Sequence, residues 1–358
     1  MRRFGFEIAL VPKLLGDFRS APWPQLVFAV CVLYLAASFD LIHSSSPLRY
    51  ADDLAAVVLG WAGLRFLSPG RQRVEDIAPG WIEAVQFRLR MLQGDLGNFF
   101  LIDHRDQDGF IVSGKNSGTH WLKFMLNAAL SSYFAVQPPA HSSGQKANHI
   151  VGGAKDPRPY PGLPHFASSH SIPSLFFAWP LVWRFVPRRP IVVLVRNIPE
   201  ALESNYAKWQ NHYAGDMEDF ARGDPLRKRF STDVWWYIHF FNRWGDIARA
   251  NPGQVLFVRY DELQCDPATQ IARIAAHFGI TLAQKDLRAA LEYSSREKIR
   301  DLQDVRYGEE IVPPDESRAM VRFGARENRI LDEIFARHLR FAPKFGLTGG
   351  TPPDRNCA

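Results

Sequence analysis

The sequence predicts an α/β fold in which helices flank a parallel sheet, because apolar strands alternate with segments of helical spacing. The clearest strand, Phe110–Val112, stops at Ser113, and helical spacing begins at Thr119. Two further apolar runs, within 190–209 and 254–263, have the same form of a strand leading into a helix. The composition of the 358-residue chain, 46% apolar and 22% charged, is that of a globular protein with room for one sizeable domain and a smaller part.

The first hundred residues differ in character from the rest and contain a long uncharged stretch. No charged residue lies between Arg19 and Asp40, and a second apolar run covers Leu54–Leu64. A membrane-spanning helix needs about 20 apolar residues, so the first run is borderline and the second is short. We therefore expect residues 1–70 to form an apolar helical hairpin that associates with the membrane through residues 20–67. The alternative is a soluble helical pair that packs on the following domain.

Part of this hairpin, Tyr34–Ile42 followed by Tyr50–Leu54, resembles the YkvA-like bacterial membrane-associated domain of unknown function. Arginines and lysines flank the two apolar runs on their outer sides, which places both ends on the cytoplasmic side. These features predict a protein at the cytoplasmic face of the membrane, whereas a soluble N-terminal pair would make it cytoplasmic. Residues 71–99 follow as a linker and a helix. A disulfide framework is unexpected, because the cysteines are far apart and odd in number: Cys31, Cys265 and Cys357.

The turn between the first strand and its helix has the composition of an anion-binding site. Residues 109–121 read Gly-Phe-Ile-Val-Ser-Gly-Lys-Asn-Ser-Gly-Thr-His-Trp, so a small polar turn opens a helix. The unpaired N–H groups and positive dipole end of a helix N-terminus favour phosphate or sulfate, and glycines let the backbone close around the anion. An ordinary capped helix would have a similar sequence. The candidate binding residues are Ser113, Gly114, Lys115, Asn116, Ser117, Gly118, Thr119, His120 and Trp121.

A second strand-to-helix segment carries an arginine and a serine at a distinctive spacing. A strand of the buried type ends at Arg196, and Ser204 follows eight positions later. Together with the turn at 113–119, this segment resembles the cytosolic-type sulfotransferase family over residues 100–346, which leaves 347–358 as a disordered tail. The resemblance implies a P-loop-type sheet and the sulfuryl donor 3'-phosphoadenosine 5'-phosphosulfate (PAPS), with adenosine 3',5'-bisphosphate (PAP) as product. It also implies that the turn holds the 5'-phosphosulfate, while Arg196 and Ser204 hold the 3'-phosphate.

Three weaker matches lie in the order that the family pattern has. The segment Phe166–Pro173 resembles the strand and turn that present the family's catalytic histidine, which makes His170 the candidate general base. A later strand resembles one whose tyrosine lies near the adenine, and Tyr260 takes that position. A short segment with Arg322 and Gly324 resembles a closing motif that also touches the 3'-phosphate.

One position departs from the family pattern. Aligned without a gap, the loop lysine of the family falls on Asn116, and the only lysine, Lys115, lies one residue earlier. Such a lysine neutralises the charge that develops on the leaving oxygen. Either Lys115 reaches the site from the preceding position, since its stem is long and flexible, or Asn116 supplies a neutral donor in a slower enzyme. We favour Lys115 as the second catalytic residue.

The sequence describes the acceptor only by its class. Residues 137–164 are rich in Pro, Gly, Ser and His without periodicity, which favours a mobile lid over the acceptor site or plain disorder. In the aromatic segment Trp209–Trp244, we expect Trp236, Phe240 and Trp244 to pack against the sheet and other aromatic residues to line an acceptor pocket. Such a pocket favours the hydroxyl or amine of a small molecule or a lipid.

Two other functions fit parts of the sequence. A P-loop kinase for small molecules would need a Gly-Lys-Ser/Thr ending, whereas Lys115 precedes Asn116. A non-catalytic, membrane-tethered nucleotide-binding protein would explain Asn116 as the mark of a decayed site. Histidines and cysteines do not group at ligand spacing, so no metal is expected, and the sequence carries no nucleic-acid motif. The net charge of +6 suits a polyanionic nucleotide or anionic lipid, and the oligomeric state is left open.

Overall fold

The computed structural model describes residues 98–142, 147–213, 215–225, 229–230, 232–302 and 321–341. The expected hairpin in 1–70, nearly all of the expected linker and helix in 71–99, and the expected tail in 347–358 lie outside these ranges. Within them, no helix combines the length and the apolar character that crossing a membrane requires.

The described residues form a sheet of five parallel strands, which confirms the predicted fold class. In chain order the strands are β1 Gly109–Ser113, β2 Val151–Gly153, β3 Phe166–Ser169, β4 Ile191–Val195 and β5 Val255–Arg259. Their order across the sheet is β2-β3-β1-β4-β5. The chain therefore returns from β3 past β1 to β4, and crossovers of this kind let helices cover both faces of a parallel sheet.

The helices connect and cover these strands. In chain order they are α1 Phe100–Asp103, α2 Thr119–Phe134, α3 Ile198–Trp209, α4 Met217–Arg222, α5 Val234–Ala250, α6 Tyr260–Cys265, α7 Pro267–His277, α8 Gln284–Tyr293, α9 Arg296–Asp301 and α10 Ala325–His338. Short 3-10 turns occupy Leu175–Ala178, Pro180–Arg184 and Gln210–His212. Cys265, at the end of α6, is disulfide-bonded.

The two faces of the sheet bury separate apolar clusters. Alternate side chains of β1 divide between them, since Phe110 and Val112 join one cluster and Ile111 joins the other. The first cluster contains the aromatic face of α5, and the second contains the apolar face of α2. Trp236, Phe240 and Trp244 are buried in the first cluster, as expected. Most of the other aromatic residues of the segment do not line a pocket, because they are also buried in this core: Phe220, Phe230, Trp235, Tyr237 and Phe241. Trp209 is exposed and Tyr213 is partly buried.

The segment 137–164, expected to be a mobile lid or plain disorder, contains the edge strand β2, so that expectation is wrong for Val151–Gly153. The side chain of Asn127 fixes this strand, because its Nδ2 donates to the Val151 carbonyl at 3.0 Å and its Oδ1 accepts from the Val151 N–H at 2.7 Å. Asn127 is fully buried on α2. The buried amide satisfies both backbone groups of Val151. It therefore stabilises a strand that is too short to carry a long apolar pattern.

Candidate active site

Four of the predicted site residues meet at one edge of the sheet. Ser113 ends β1, His170 follows β3, Arg196 follows β4 and Tyr260 follows β5. The register pairs Val112 with a residue of β3 and with a residue of β4, so the carboxyl ends of these strands are level. Ligands of open parallel sheets gather at this edge.

The turn after β1 ends in a helix N-terminus that no side chain caps. Gly118 is the residue before α2, has a left-handed φ of 86°, and provides no side-chain hydrogen bond to the first turn. A Cβ at this position would lie 2.6 Å from Cδ2 of Tyr260, so the tyrosine ring packs directly against the backbone of the turn. First-turn N–H groups without a side-chain cap form a ready-made anion site.

The conformation of the turn is held by hydrogen bonds to its backbone carbonyls. The Tyr237 hydroxyl donates to the Lys115 carbonyl, and Arg196 Nη1 donates to the Asn116 carbonyl at 2.9 Å. Asn116 has a left-handed φ of 55°, and its Nδ2 donates to Asn205 Oδ1 at 2.9 Å. Burial is the main cause that raises the pKa of Tyr237, so its hydroxyl remains a donor at neutral pH. The turn is therefore preorganised by the protein itself.

His170 is oriented by the end of β1. Its Nδ1 lies 2.9 Å from the Ser113 carbonyl oxygen and 3.2 Å from Ser113 Oγ. A carbonyl oxygen only accepts, so this geometry places the proton on Nδ1 and leaves the lone pair on Nε2. Ser113 Oγ also lies 2.5 Å from Thr119 Oγ1, which ties the first residue of α2 to the same position. His170 is exposed.

Arg196 occupies the opposite side of the turn and contacts several groups at once. Its guanidinium carbon lies 4.8 Å from the centre of the Tyr260 ring, and its Nε lies 3.5 Å from Glu200 Oε2. Trp121 meets the same tyrosine edge to face, with ring centres 6.3 Å apart. Arg196 therefore links the turn 113–119 to the aromatic pair Trp121 and Tyr260.

The remaining predicted residues lie farther along the site or are engaged elsewhere. Ser204 is exposed on α3, and His120 is exposed in the first turn of α2. Arg322 Nη1 forms an ion pair with Glu203 Oε2 at 2.7 Å, so this arginine reaches α3 beside Ser204. Gly324 precedes α10, where its N–H donates to the Glu327 carboxylate at 2.9 Å. Arg322 thus lies at α3, the helix that carries Ser204, and Gly324 takes part in the N-terminal cap of α10.

Sequence reasoning missed two residues that hold the turn, Asn205 and Tyr237, and one buried charge on α2, Lys123. Asn205 Nδ2 donates to the Thr232 carbonyl at 2.7 Å, which fixes the Oδ1 that accepts from Asn116. Tyr237 is hidden in an aromatic run whose pattern indicates only a buried helix. Lys123 is buried on α2 and donates from Nζ to Asn148 Oδ1 at 2.7 Å. The sequence offered a signal for only one of these residues: Asn205 follows the predicted site residue Ser204.

Among the residues that the structure describes, no group of three or more His, Cys, Asp or Glu side chains is placed to hold a metal ion.

Comparisons with known proteins agree on one family. The model of the family described as "Sulfotransferase domain" matches residues 106–327. Cytosolic sulfotransferase 3 of Arabidopsis thaliana is 26% identical over 229 residues, which are 58% of this chain and 66% of that protein. Sulfotransferase 2B1 of Homo sapiens is 26% identical over 200 residues, 54% of this chain and 52% of that protein. The chain thus spans between half and two thirds of the length of these relatives.

A solved structure, mouse sulfotransferase SULT7A1 complexed with PAP, aligns with a TM-score of 0.44 at 16% identity. That alignment covers 74% of this chain and 93% of the mouse chain.

Proposed function

This chain belongs to the sulfotransferase family, and we propose that it transfers a sulfuryl group from PAPS to a hydroxyl or amine of a small molecule or lipid. The observation that carries the proposal is the edge of the sheet at which His170 and Arg196 both contact the turn 113–119. Sulfuryl transfer requires in-line positioning and donors aimed at an anionic group, as phosphoryl transfer does. The described site supplies these requirements with its own backbone and side chains.

The residues fit a doubly phosphorylated nucleotide at two positions. The uncapped N-terminus of α2 and the left-handed Gly118 form a cradle for a 5'-phosphosulfate. Arg196 uses Nη1 to hold the turn, and its other N–H groups suit a 3'-phosphate together with Ser204. When bound, PAPS supplies the sulfuryl group and the bisphosphate leaving group. Tyr260 packs on both Gly118 and Arg196, so it suits the adenine end of the site.

His170 serves as the general base in this proposal. Its Nδ1–H is held by the Ser113 carbonyl, so Nε2 accepts the proton of the attacking hydroxyl. The same carbonyl then stabilises the imidazolium that forms, since the Nδ1–H bond to it strengthens with the charge. Ser113 is fixed at the end of a buried strand, which keeps the base at a constant position relative to the turn.

In this proposal Lys115, and not Asn116, neutralises the charge that develops on the leaving oxygen. The Asn116 side chain is engaged with Asn205, and its carbonyl is engaged with Arg196, so both polar ends of this residue serve the turn itself. The Lys115 carbonyl accepts from the Tyr237 hydroxyl, which fixes the Cα of Lys115, and a lysine stem is long enough to approach the leaving oxygen. The kinase alternative is not favoured, because its loop needs a lysine followed by Ser or Thr, whereas Lys115 is followed by Asn116.

We propose that the enzyme lies at the cytoplasmic face of a membrane. The support is the uncharged stretch between Arg19 and Asp40 with the apolar run Leu54–Leu64, and the basic residues that flank them. A lipid or a lipid-soluble hydroxyl is then an accessible acceptor, beside water-soluble small molecules.

Calorimetry with PAP, compared with ATP and Mg²⁺, tests the nucleotide. We expect PAP to bind and ATP to bind more weakly, and an absence of PAP binding would remove the proposal. Turnover of labelled PAPS with extracts, searched for an added SO₃ mass, then separates an enzyme from a non-catalytic nucleotide-binding protein.

The His170→Ala variant tests the base assignment. We expect it to lose transfer by a factor of about 10² or more while PAP affinity stays near the wild-type value. His104→Ala is the matched control, because His104 lies after α1 and before β1, at the other end of the strand. Normal turnover in His170→Ala would show that another group takes the proton.

A further inference from the structure

The connection between β3 and β4 exposes a group of large apolar side chains. We call Trp179, Leu181 and Phe185 the aromatic surface, with exposed fractions of 55%, 61% and 82%. These are the three most exposed large apolar side chains among the described residues, and they lie within one short stretch of chain. Isolated exposed apolar residues are ordinary, whereas a group of this kind marks an interaction site.

The aromatic surface is held in a fixed conformation. Trp183, between Leu181 and Phe185, is buried and donates from Nε1 to the Phe177 carbonyl at 2.7 Å. The 3-10 turn Pro180–Arg184 has a period of three residues, so Trp183 and Val186 share the inward side. Arg184 and Phe185, which lie between them, are exposed. The exposure of Phe185 thus results from anchoring of its neighbours in the core.

The charge around the aromatic surface is basic. Arg184 and Arg188 are exposed, and Arg189 is partly exposed. No aspartate or glutamate occurs from Ser174 to Pro199. A Trp, Phe and Leu group with arginines at its border has the chemistry of a segment that lies in the headgroup region of an anionic bilayer.

The chain also enters the domain beside this surface. The Asn98 carbonyl accepts from Ser174 N–H at 2.8 Å, and Asn98 Nδ2 donates to the Ile172 carbonyl at 2.8 Å. Phe99 stacks on Phe176 with ring centres 6.2 Å apart, and Phe176 meets Trp179 edge to face at 5.6 Å. Phe99, one of the first residues that the structure describes, is therefore linked to Trp179 of the aromatic surface through Phe176.

We propose that the aromatic surface inserts into the headgroup region of an anionic lipid bilayer and docks the catalytic domain on it. Its three side chains supply the apolar contact, and Arg184 and Arg188 supply attraction to anionic headgroups, worth about 1 kcal/mol for each charge near the surface. The docked segment lies in the connection that leads from His170 to β4, and with the catalytic domain on a bilayer a membrane-resident hydroxyl is an acceptor class within reach. That last consequence rests on the proposed function, whereas the docking itself does not.

Hydrogen–deuterium exchange of the full-length protein tests the docking. Vesicles of phosphatidylcholine with about 30% phosphatidylserine are added, and exchange is followed in peptides that cover 174–189. We expect backbone exchange there to slow by about fivefold or more, and to slow less with phosphatidylcholine alone. The double variant Leu181→Ser and Phe185→Ser should lose this protection.

The matched control is Leu291→Ser, because Leu291 is an exposed leucine of α8 outside the aromatic surface. It should leave the protection of 174–189 unchanged. PAP affinity, measured on the same variants, should equal the wild-type value, so a failure of docking is distinguished from a failure of the proposed nucleotide site.

Three outcomes would overturn the proposal. Sedimentation of the protein with vesicles without slower exchange in 174–189 would assign membrane binding to other residues. Equal protection of 174–189 without vesicles at every protein concentration would show that the chain's own N-terminal segment covers the surface. Protection without vesicles that grows with protein concentration would assign the surface to a second copy of the chain.

Discussion

The turn places two structural requirements on Gly118, and replacement by alanine violates both. The first requirement is the left-handed φ of 86°, and the second is the close approach of the Tyr260 ring, whose Cδ2 would lie 2.6 Å from a new Cβ. Gly253 provides a matched control, since its φ is 83° and no heavy atom lies within 4 Å of its Cβ position. The control shares the backbone strain and lacks the steric conflict.

The magnitudes follow from these contacts. A non-glycine residue in the left-handed region costs about 1–2 kcal/mol, so both variants lose this much free energy of unfolding. Gly118→Ala must in addition displace Tyr260, and with it the contact in which the Arg196 guanidinium lies 4.8 Å from the ring centre. Loss of that contact costs about 0.5–1 kcal/mol at a partly exposed site. The displaced ring also disturbs the uncapped end of α2, where we propose that the anion binds.

Chemical denaturation measures the stability of both variants, and calorimetry measures their affinity for PAP. We expect Gly253→Ala to lose stability and to bind PAP like the wild type. Gly118→Ala should lose more stability and bind PAP at least about tenfold more weakly, which corresponds to about 1.4 kcal/mol. Equal PAP affinity in the two variants would refute the reasoning, because the contact between Tyr260 and the turn would then have no bearing on the ligand.

Three further predictions concern side chains around the turn. Tyr237→Phe removes one donor from the Lys115 carbonyl, which keeps the longer bond from Ser117 Oγ at 3.4 Å, so unfolding free energy should fall by about 1 kcal/mol in denaturation experiments. Burial lowers the pKa of Lys123 to about 8, below its unfolded value of 10.5. Between these two pH values the unfolded chain binds more protons than the folded chain, so the free energy of unfolding rises with pH. The wild type should gain about 3 kcal/mol across this range relative to Lys123→Met. Parallel curves of unfolding free energy against pH for the two proteins would contradict this. Arg196→Lys keeps the charge and loses the planar fork, so PAP affinity measured by calorimetry should fall about tenfold, and an unchanged affinity would show that charge alone suffices.

The strands that carry the site were predictable because they are fully buried. The residues of β1 and β4 are apolar without alternation except for terminal positions, which is the pattern of a parallel strand covered on both faces. The edge strand β2 has three residues and depends on the side chain of Asn127, so its own sequence carries little signal. Burial by neighbours can be inferred from a pattern, whereas stabilisation by one distant amide cannot.

The candidate site divides in the same way. Ser113, His170 and Arg196 follow strands, so the alternation of strands and helices was enough to bring them to one edge. Asn205 and Tyr237 act through hydrogen bonds to residues about 90 and 120 positions away in the chain, and no local spacing predicts such contacts. The ion pair of Arg322 with Glu203 was hidden for the same reason.

The contacts of Arg196 explain why the turn and the proposed 3'-phosphate position belong to one unit. One nitrogen of its guanidinium holds the Asn116 carbonyl, and its face lies on Tyr260, whose ring in turn packs on Gly118. A guanidinium has five N–H donors in a rigid plane, so an anion bound by the remaining donors fixes the plane that supports the turn. In the proposed complex, binding at the arginine would therefore order the turn at the other end of the nucleotide, and a compact point charge at position 196 would lack the geometry for this coupling.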